Sequence, residues 1–160
     1  MKGNILAISA LCGAILLTGC SISGNPSVST SASSEQILSP AEKTAKLLSE
    51  VEFPEMVEVT QEKFSFYYKA ETSAVKSFSA YVCGSGAYPD EFGVFETESE
   101  DAASEFSQKL EDRIEKQRET YTDYTPAEMY KFDDCFVKQD GNYVYYAICA
   151  DNVSAKDILS

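Results

Sequence analysis

The longest periodic stretch of the chain lies between Ser99 and Asp123, where Ala103, Phe106, Leu110, Ile114, Gln117 and Tyr121 recur at three- and four-residue spacing. That spacing puts them on one stripe of a helix, with charged residues around the rest of its surface. Two starts are open: a capping box of Thr97 with Glu100, or Ser99 as the cap. A shorter helix is predicted from Pro40, with Ser39 as N-cap and proline at the first helical position. Its apolar face reads Ala41, Thr44, Ala45, Leu48 and Val51, and Pro54 ends it. Val57 to Val59 reads as a short strand and Gln61 to Tyr68 as a short helix carrying Phe64, Tyr67 and Tyr68.

Strict alternation takes over further on. Phe78, Ala80 and Val82 alternate with Ser79, Tyr81 and Cys83, and Phe92 to Phe95 forms a second extended run. Gly84-Ser85-Gly86 and Pro89-Asp90 separate the two. A hairpin is predicted after Pro126: a strand from Phe132 to Gln139, an Asp140-Gly141 turn, and a strand from Asn142 to Ala150. In that register Gln139 lies opposite Asn142 and Cys135 opposite Tyr146. The final strand is apolar or aromatic on both faces, so it belongs at the centre of a sheet. A tail helix from Ser154 to Leu159 would cover one side. The expected architecture is a single α+β domain over residues 40–160, with a mainly antiparallel sheet of about four strands and one long helix across it.

The first 39 residues follow another logic. Lys2 precedes a run, Ile5 to Leu17, that is apolar apart from Ser9 and Gly13. It is too short for the ~20 residues that cross a bilayer and has the form of a secretory signal over residues 1–19. Leu17-Thr18-Gly19-Cys20 then has the form of a lipoprotein processing box. The thiol of Cys20 would take diacylglycerol, and cleavage before it would leave an anchor of two or more acyl chains, enough for stable tethering. Ser21 to Ser39, poor in apolar surface, reads as a flexible spacer with a typical span of roughly 25 Å. The expected location is the extracytoplasmic face of the cell membrane, held there through Cys20.

Charge narrows the partners. The chain carries 13 Lys and Arg against 26 Asp and Glu, a formal net charge of −13. Such a domain is repelled by nucleic acid and by anionic headgroups, so its membrane contact is expected through the lipid alone. There is no histidine, which removes Ser-His-Asp and Cys-His catalysis, imidazole metal sites and the commonest general base. Beyond Cys12 and Cys20, three cysteines remain: Cys83, Cys135 and Cys149. In the predicted register Cys135 and Cys149 face opposite sides. Cys83 with Cys149 is therefore the first choice for a disulfide, and three buried free thiols are the alternative. No Cys-x-x-Cys spacing is present to suggest zinc or redox chemistry.

Other features carry less. Gly84-Ser85-Gly86 leads into a Pro-Asp turn and reads as a loop, not a phosphate cradle. Asp133 and Asp134, neighbours on a predicted strand, diverge. Glu98, Glu100 and Asp101 read as a helix N-terminus and not as a cation site. Tyr143 and Tyr145 would form a row on the last strand, either stacking on wall sugars or serving as half-buried sheet aromatics. Glu91, beside the loop after the first of the alternating strands, is the first candidate if the protein is a carboxylate-based enzyme.

Several of these residues occur together in a pattern. The lipoprotein box and serine-rich spacer are followed by Glu91-Phe92 with Val94-Phe95, by Leu110, Arg113, Gln117, Tyr121, Tyr124, Pro126 and Glu128, and by Gly141-Asn142-Tyr143-Val144. Over roughly Ala41 to Leu159 the chain resembles a family of small lipoproteins of unknown function from Gram-positive, mostly clostridial, bacteria. The resemblance implies an α+β domain outside the cytoplasmic membrane and brings no catalytic residue. The resulting expectation is a non-enzymatic, lipid-anchored module without cofactor or metal that binds an envelope protein or cell-wall component. A wall-directed carboxylate enzyme and a binder of small cationic solutes are the alternatives.

Overall fold

The computed structural model describes residues 38–160; the expected signal sequence, Cys20 and most of the expected spacer lie outside the described residues. Five antiparallel strands form one sheet: β1 (Met56–Glu58), β2 (Ser77–Cys83), β3 (Glu91–Glu96), β4 (Phe136–Asp140) and β5 (Tyr143–Ile148), in the order β1-β2-β3-β5-β4. Four helices accompany them among the described residues: α1 (Pro40–Glu50), α2 (Gln61–Tyr68), α3 (Glu100–Tyr124) and α4 (Asn152–Leu159). The domain is α+β, as expected. The sheet has five strands instead of about four, because Met56–Glu58 pairs with the far end of β2.

Strand alternation divides the core into two layers. On one face, Ala80, Val82, Phe95, Val144, Tyr146 and Ile148 pack against Ala103, Phe106, Leu110, Ile114 and Tyr121 of α3 and against Phe64 and Tyr68 of α2. On the other, Phe92, Val94, Tyr145 and Ala147 pack against Leu47 and Val51 at α1 and against Ala155 and Leu159 of α4. Strands β3 and β5, covered on both sides, are correspondingly apolar on both faces. Gly93 serves this packing: a Cβ there would come within 2.9 Å of both Ala80 Cβ and the Phe95 ring.

The α3 stripe is the predicted one. Its cap is Ser99, whose hydroxyl accepts from the Ala102 amide at 3.2 Å. Thr97 instead donates its hydroxyl to the carbonyls of Ser99 and Asn142, tying the start of α3 to the β4–β5 turn. Ser39 caps α1 in a full capping box with Glu42. The buried face of α1 is Pro40, Thr44 and Leu47, not Ala41 and Ala45, which are exposed. The Thr44 hydroxyl makes that turn tolerable, meeting Ser79 Oγ at 2.7 Å and the Pro40 carbonyl at 3.1 Å.

The hairpin differs in detail. Its turn is Gly141-Asn142, with Asp140 opposite Tyr143 and Gln139 opposite Val144. Of the two turn residues, Gly141 alone has positive φ, at 56°, the II′ pattern in place of the I′ turn expected of Asp-Gly. A shift of two positions leaves every side chain on its predicted face. The segment Pro126–Phe132, whose last residue was predicted to open a strand, is 3-10 helix, and β4 begins only at Phe136.

Candidate ligand cleft

Glu91 opens β3 and Asp90 directly precedes it, and both are buried. Neighbours on a strand point to opposite faces, so each acid needs its own partner. Asp90 takes Lys131 Nζ at 2.6 Å, and Lys131 also meets Glu128 at 2.8 Å. Burial pushes the Asp90 carboxyl above its ordinary range, against the pull of Lys131. Glu91, 1% exposed, lies on the α3 face and accepts through Oε2 from the Arg113 guanidinium and from Gln117 Nε2 at 3.2 Å. Burial raises this carboxyl too, with Arg113 opposing. Glu91 Oε1 and Arg113 Nε are buried without partners.

Arg113 and Gln117 are one turn apart on α3, so both reach the same carboxylate. Arg113 then reaches forward: Nη1 donates to the Tyr67 carbonyl at 2.9 Å, at the end of α2. Its guanidinium lies 5.3 Å from the Tyr67 ring centre and 5.7 Å from that of Tyr68. The Tyr68 hydroxyl meets that of Tyr146 at 3.1 Å, and burial raises both phenols. A chain of polar contacts thus runs from the sheet through α3 to α2. These contacts tie α2 and α3 to the sheet and to each other, and so set the gap between the two helices.

That gap is a cleft of about 460 Å³, within the range of small-molecule sites. Phe66, Tyr67 and Tyr68 supply its aromatic side, and Lys69, Lys109, Arg113 and Lys116 bring four cations to it, with Asp112, Gln117 and Thr120 completing the wall. Glu91 does not line the cleft; its partners Arg113 and Gln117 do. The side chain of Arg113 is 16% exposed, so Glu91 acts as a positioning residue that holds a cleft-lining cation. The sequence picked out Glu91 as the first candidate for a carboxylate-based enzyme; the structure places it behind the cleft, buried against Arg113 and Gln117. Arg113 and the aromatic end of α2 were not picked out as a site. The legible signal was Gln117, a polar residue on the buried stripe of α3, which requires a buried partner.

The remaining sequence candidates are scattered. Cys83, Cys135 and Cys149 are free thiols, so the Cys83–Cys149 bond does not form. Val82 pairs with Glu91 and Glu91 with Ile148, so β3 stands between the two cysteines. Two strand spacings, roughly 9–10 Å, exceed the reach of a disulfide. Tyr143 and Tyr145 stack at 6.2 Å on the α1–α4 face, Tyr145 buried and Tyr143 half-buried, so they do not form an exposed row. Asp133 and Asp134 are exposed and precede β4 instead of lying on it. Glu98, Glu100 and Asp101 are exposed at the start of α3, with Glu98 3.5 Å from Lys76. Gly84-Ser85-Gly86 is a turn, in which Ser85 Oγ accepts from the Ala87 amide. Among the described residues no cluster of three metal-type ligands forms, and no helix is long and apolar enough to cross a membrane.

The fold and the cleft define a two-faced antiparallel α+β domain in which a buried acid–arginine pair on the central strand supports a groove between two helices. The chain belongs to the domain-of-unknown-function family DUF4358, which it matches over residues 49–149. That span runs from the last turn of α1 to Cys149 and contains every residue of the cleft and of its supporting network. No curated protein and no solved structure matches the chain.

Proposed function

We propose that this protein is a lipid-anchored, extracytoplasmic binding module that takes a small ligand of the cell envelope in the cleft between α2 and α3. The observation that carries the reading is Arg113, fixed from behind by Glu91 and from the side by the Tyr67 carbonyl while it lines an aromatic-sided cleft. Locking a cation before the ligand arrives removes the ordering cost from binding. Ser39 leads into α1, which packs on the sheet face opposite α2 and α3.

The two halves of the proposal have separate tests. Mass spectrometry of the membrane-extracted native protein and of its Cys20→Ala variant examines the anchor: the native chain begins at Cys20 and carries the mass of diacylglycerol, and the variant carries none. A native chain with an unmodified Cys20 would sink the anchor. Thermal-shift screening of envelope-derived small molecules examines the cleft, since a ligand at 100 times its Kd stabilises by about 2.7 kcal/mol. A stabilising ligand whose effect survives Arg113→Met would refute the site.

A further inference from the structure

We infer that the cleft is built for an organic anion: a flat ring body carrying a carboxylate or phosphate group. This rests on the cleft being the binding site, and it reverses the sign expected from the acidic composition. The chain has a formal charge of −13 and only 13 Lys and Arg, yet four of those cations line this one cleft beside a single acid, Asp112. Three of the four, Lys69, Lys109 and Lys116, lie in no ion pair among the described residues. Lys109 and Lys116 are seven positions apart on α3, with Arg113 between them, so the three cations form a row along the flank that faces α2. Cations gathered in a concave site against an acidic exterior concentrate field there, and an anionic ligand is drawn to that place and repelled elsewhere.

The ring body follows from α2. Phe66 is 66% exposed and stands edge-on to Tyr67 with ring centres 5.1 Å apart. An exposed phenylalanine beside a cleft offers a stacking surface that water does not need. Lys69 sits at φ 52°, ψ 36°, in the left-handed region that glycine or asparagine normally fills at a helix end. Its ammonium lies 5.2 Å from the Phe66 ring centre. The backbone thus accepts a disfavoured conformation at a position where a lysine, and not a glycine, completes the cation row, a form of strain typical of binding sites. Phosphate and carboxylate share the chemistry the row would recognise: anionic oxygens paired with ammonium groups and with the guanidinium edge.

Titration calorimetry on the purified full chain, with amide chemical-shift mapping, decides the matter using phenyl phosphate, benzoate, inorganic phosphate and phenyltrimethylammonium as probes. Phenyl phosphate or benzoate should move the amides of residues 66–69 and 109–120 and weaken as salt is raised. The exposed double variant Lys109→Gln/Lys116→Gln should weaken that binding by about tenfold or more, the loss of one to two charge-assisted hydrogen bonds. Inorganic phosphate binding as tightly as phenyl phosphate would overturn the ring body. Phenyltrimethylammonium binding at the same residues as tightly as the anions would overturn the anion assignment and leave the cleft standing as the site. Failure of every probe to move those amides would overturn both.

Discussion

Removing Arg113 should destabilise the protein more than removing the charge of Glu91, and the difference should depend on pH. Arg113→Met keeps an apolar stem on α3 but leaves a carboxylate that is 1% exposed without its cation. Breaking a buried pair in this way costs about 3–5 kcal/mol. Protonation limits the loss. A carboxyl with an unfolded pKa near 4.3 can be neutralised at pH 7 for about 3.7 kcal/mol, and at pH 5 for about 1 kcal/mol. The sign follows from linkage. In the variant the folded pKa of Glu91 stands above the unfolded value, so its folded state binds the extra proton. Stability is greatest below about pH 4 and falls as pH rises toward the folded pKa. In the native protein burial already raises this carboxyl, but Arg113 opposes it, so the same trend is weaker. Glu91→Gln instead leaves a guanidinium that still donates to the Tyr67 carbonyl and is 16% exposed. It should cost about 1–3 kcal/mol with no pH dependence from position 91. Urea unfolding at pH 5, 6, 7 and 8, compared at constant m, measures both. A deficit in Arg113→Met that stays flat with pH, or is no larger than that of Glu91→Gln, would refute the assignment of Glu91 as a buried carboxylate neutralised by Arg113.

Three further outcomes are expected. Alkylation of the native protein followed by peptide mass mapping should label Cys83 first and Cys149 last. Cys83 is half-exposed with its thiol lowered by hydrogen bonds from Ser85 and nearby amides, whereas Cys149 is buried and pushed up to about 12; equal labelling of the two would contradict the packing. Gly93→Ala should lower stability by about 1–3 kcal/mol, because the new methyl meets Ala80 and the Phe95 ring at 2.9 Å in a core with no room to yield; an unchanged denaturation midpoint would show that the layer is looser than described. Lys69→Gly should do the reverse and stabilise by about 1 kcal/mol through relief of the left-handed lysine, while weakening phenyl phosphate binding; a variant that is less stable would remove the strain argument.

The parts of the fold that the sequence disclosed are those whose reasons are local. The α3 stripe repeats over about five turns, and its cap candidates sit directly before it, so tertiary context had little to add beyond choosing Ser99. The β4–β5 turn was mislocated because Asp140-Gly141-Asn142 contains two competing two-residue turns. What selects Gly141-Asn142 is distant in sequence: the Asn142 carbonyl accepts from the Thr97 amide at 2.8 Å, and its side-chain amide donates to the Thr97 carbonyl at 3.1 Å. The α1 face is rotated from the predicted one: Thr44 is buried as expected and meets Ser79, but Pro40 and Leu47 lie beside it in place of Ala41 and Ala45. The 3-10 segment at Pro126–Phe132 depends on Lys131 reaching Asp90, 41 residues away.

The candidate site is an instance of the same rule with larger consequences. Nothing local distinguishes Asp90 and Glu91 from the many acids on the surface, yet alternation along β3 forces them to opposite faces, and burial makes each demand a cation. Glu91 draws in Arg113 and with it the middle of α3; Asp90 draws in Lys131 and with it the segment that follows α3. The start of one strand therefore sets the position of the long helix at one point and of the segment after it at another, through charges that cannot be left unpaired. A cleft between α2 and α3 keeps its width only if α3 cannot slide along the sheet, and apolar contacts alone resist such sliding weakly because one Leu or Phe can replace another in a groove. An ion pair has a single acceptable register. On this argument the buried acids fix the geometry in which the cations of the cleft are presented, and the cost of burying them is offset by a site that does not have to reorganise when a ligand arrives.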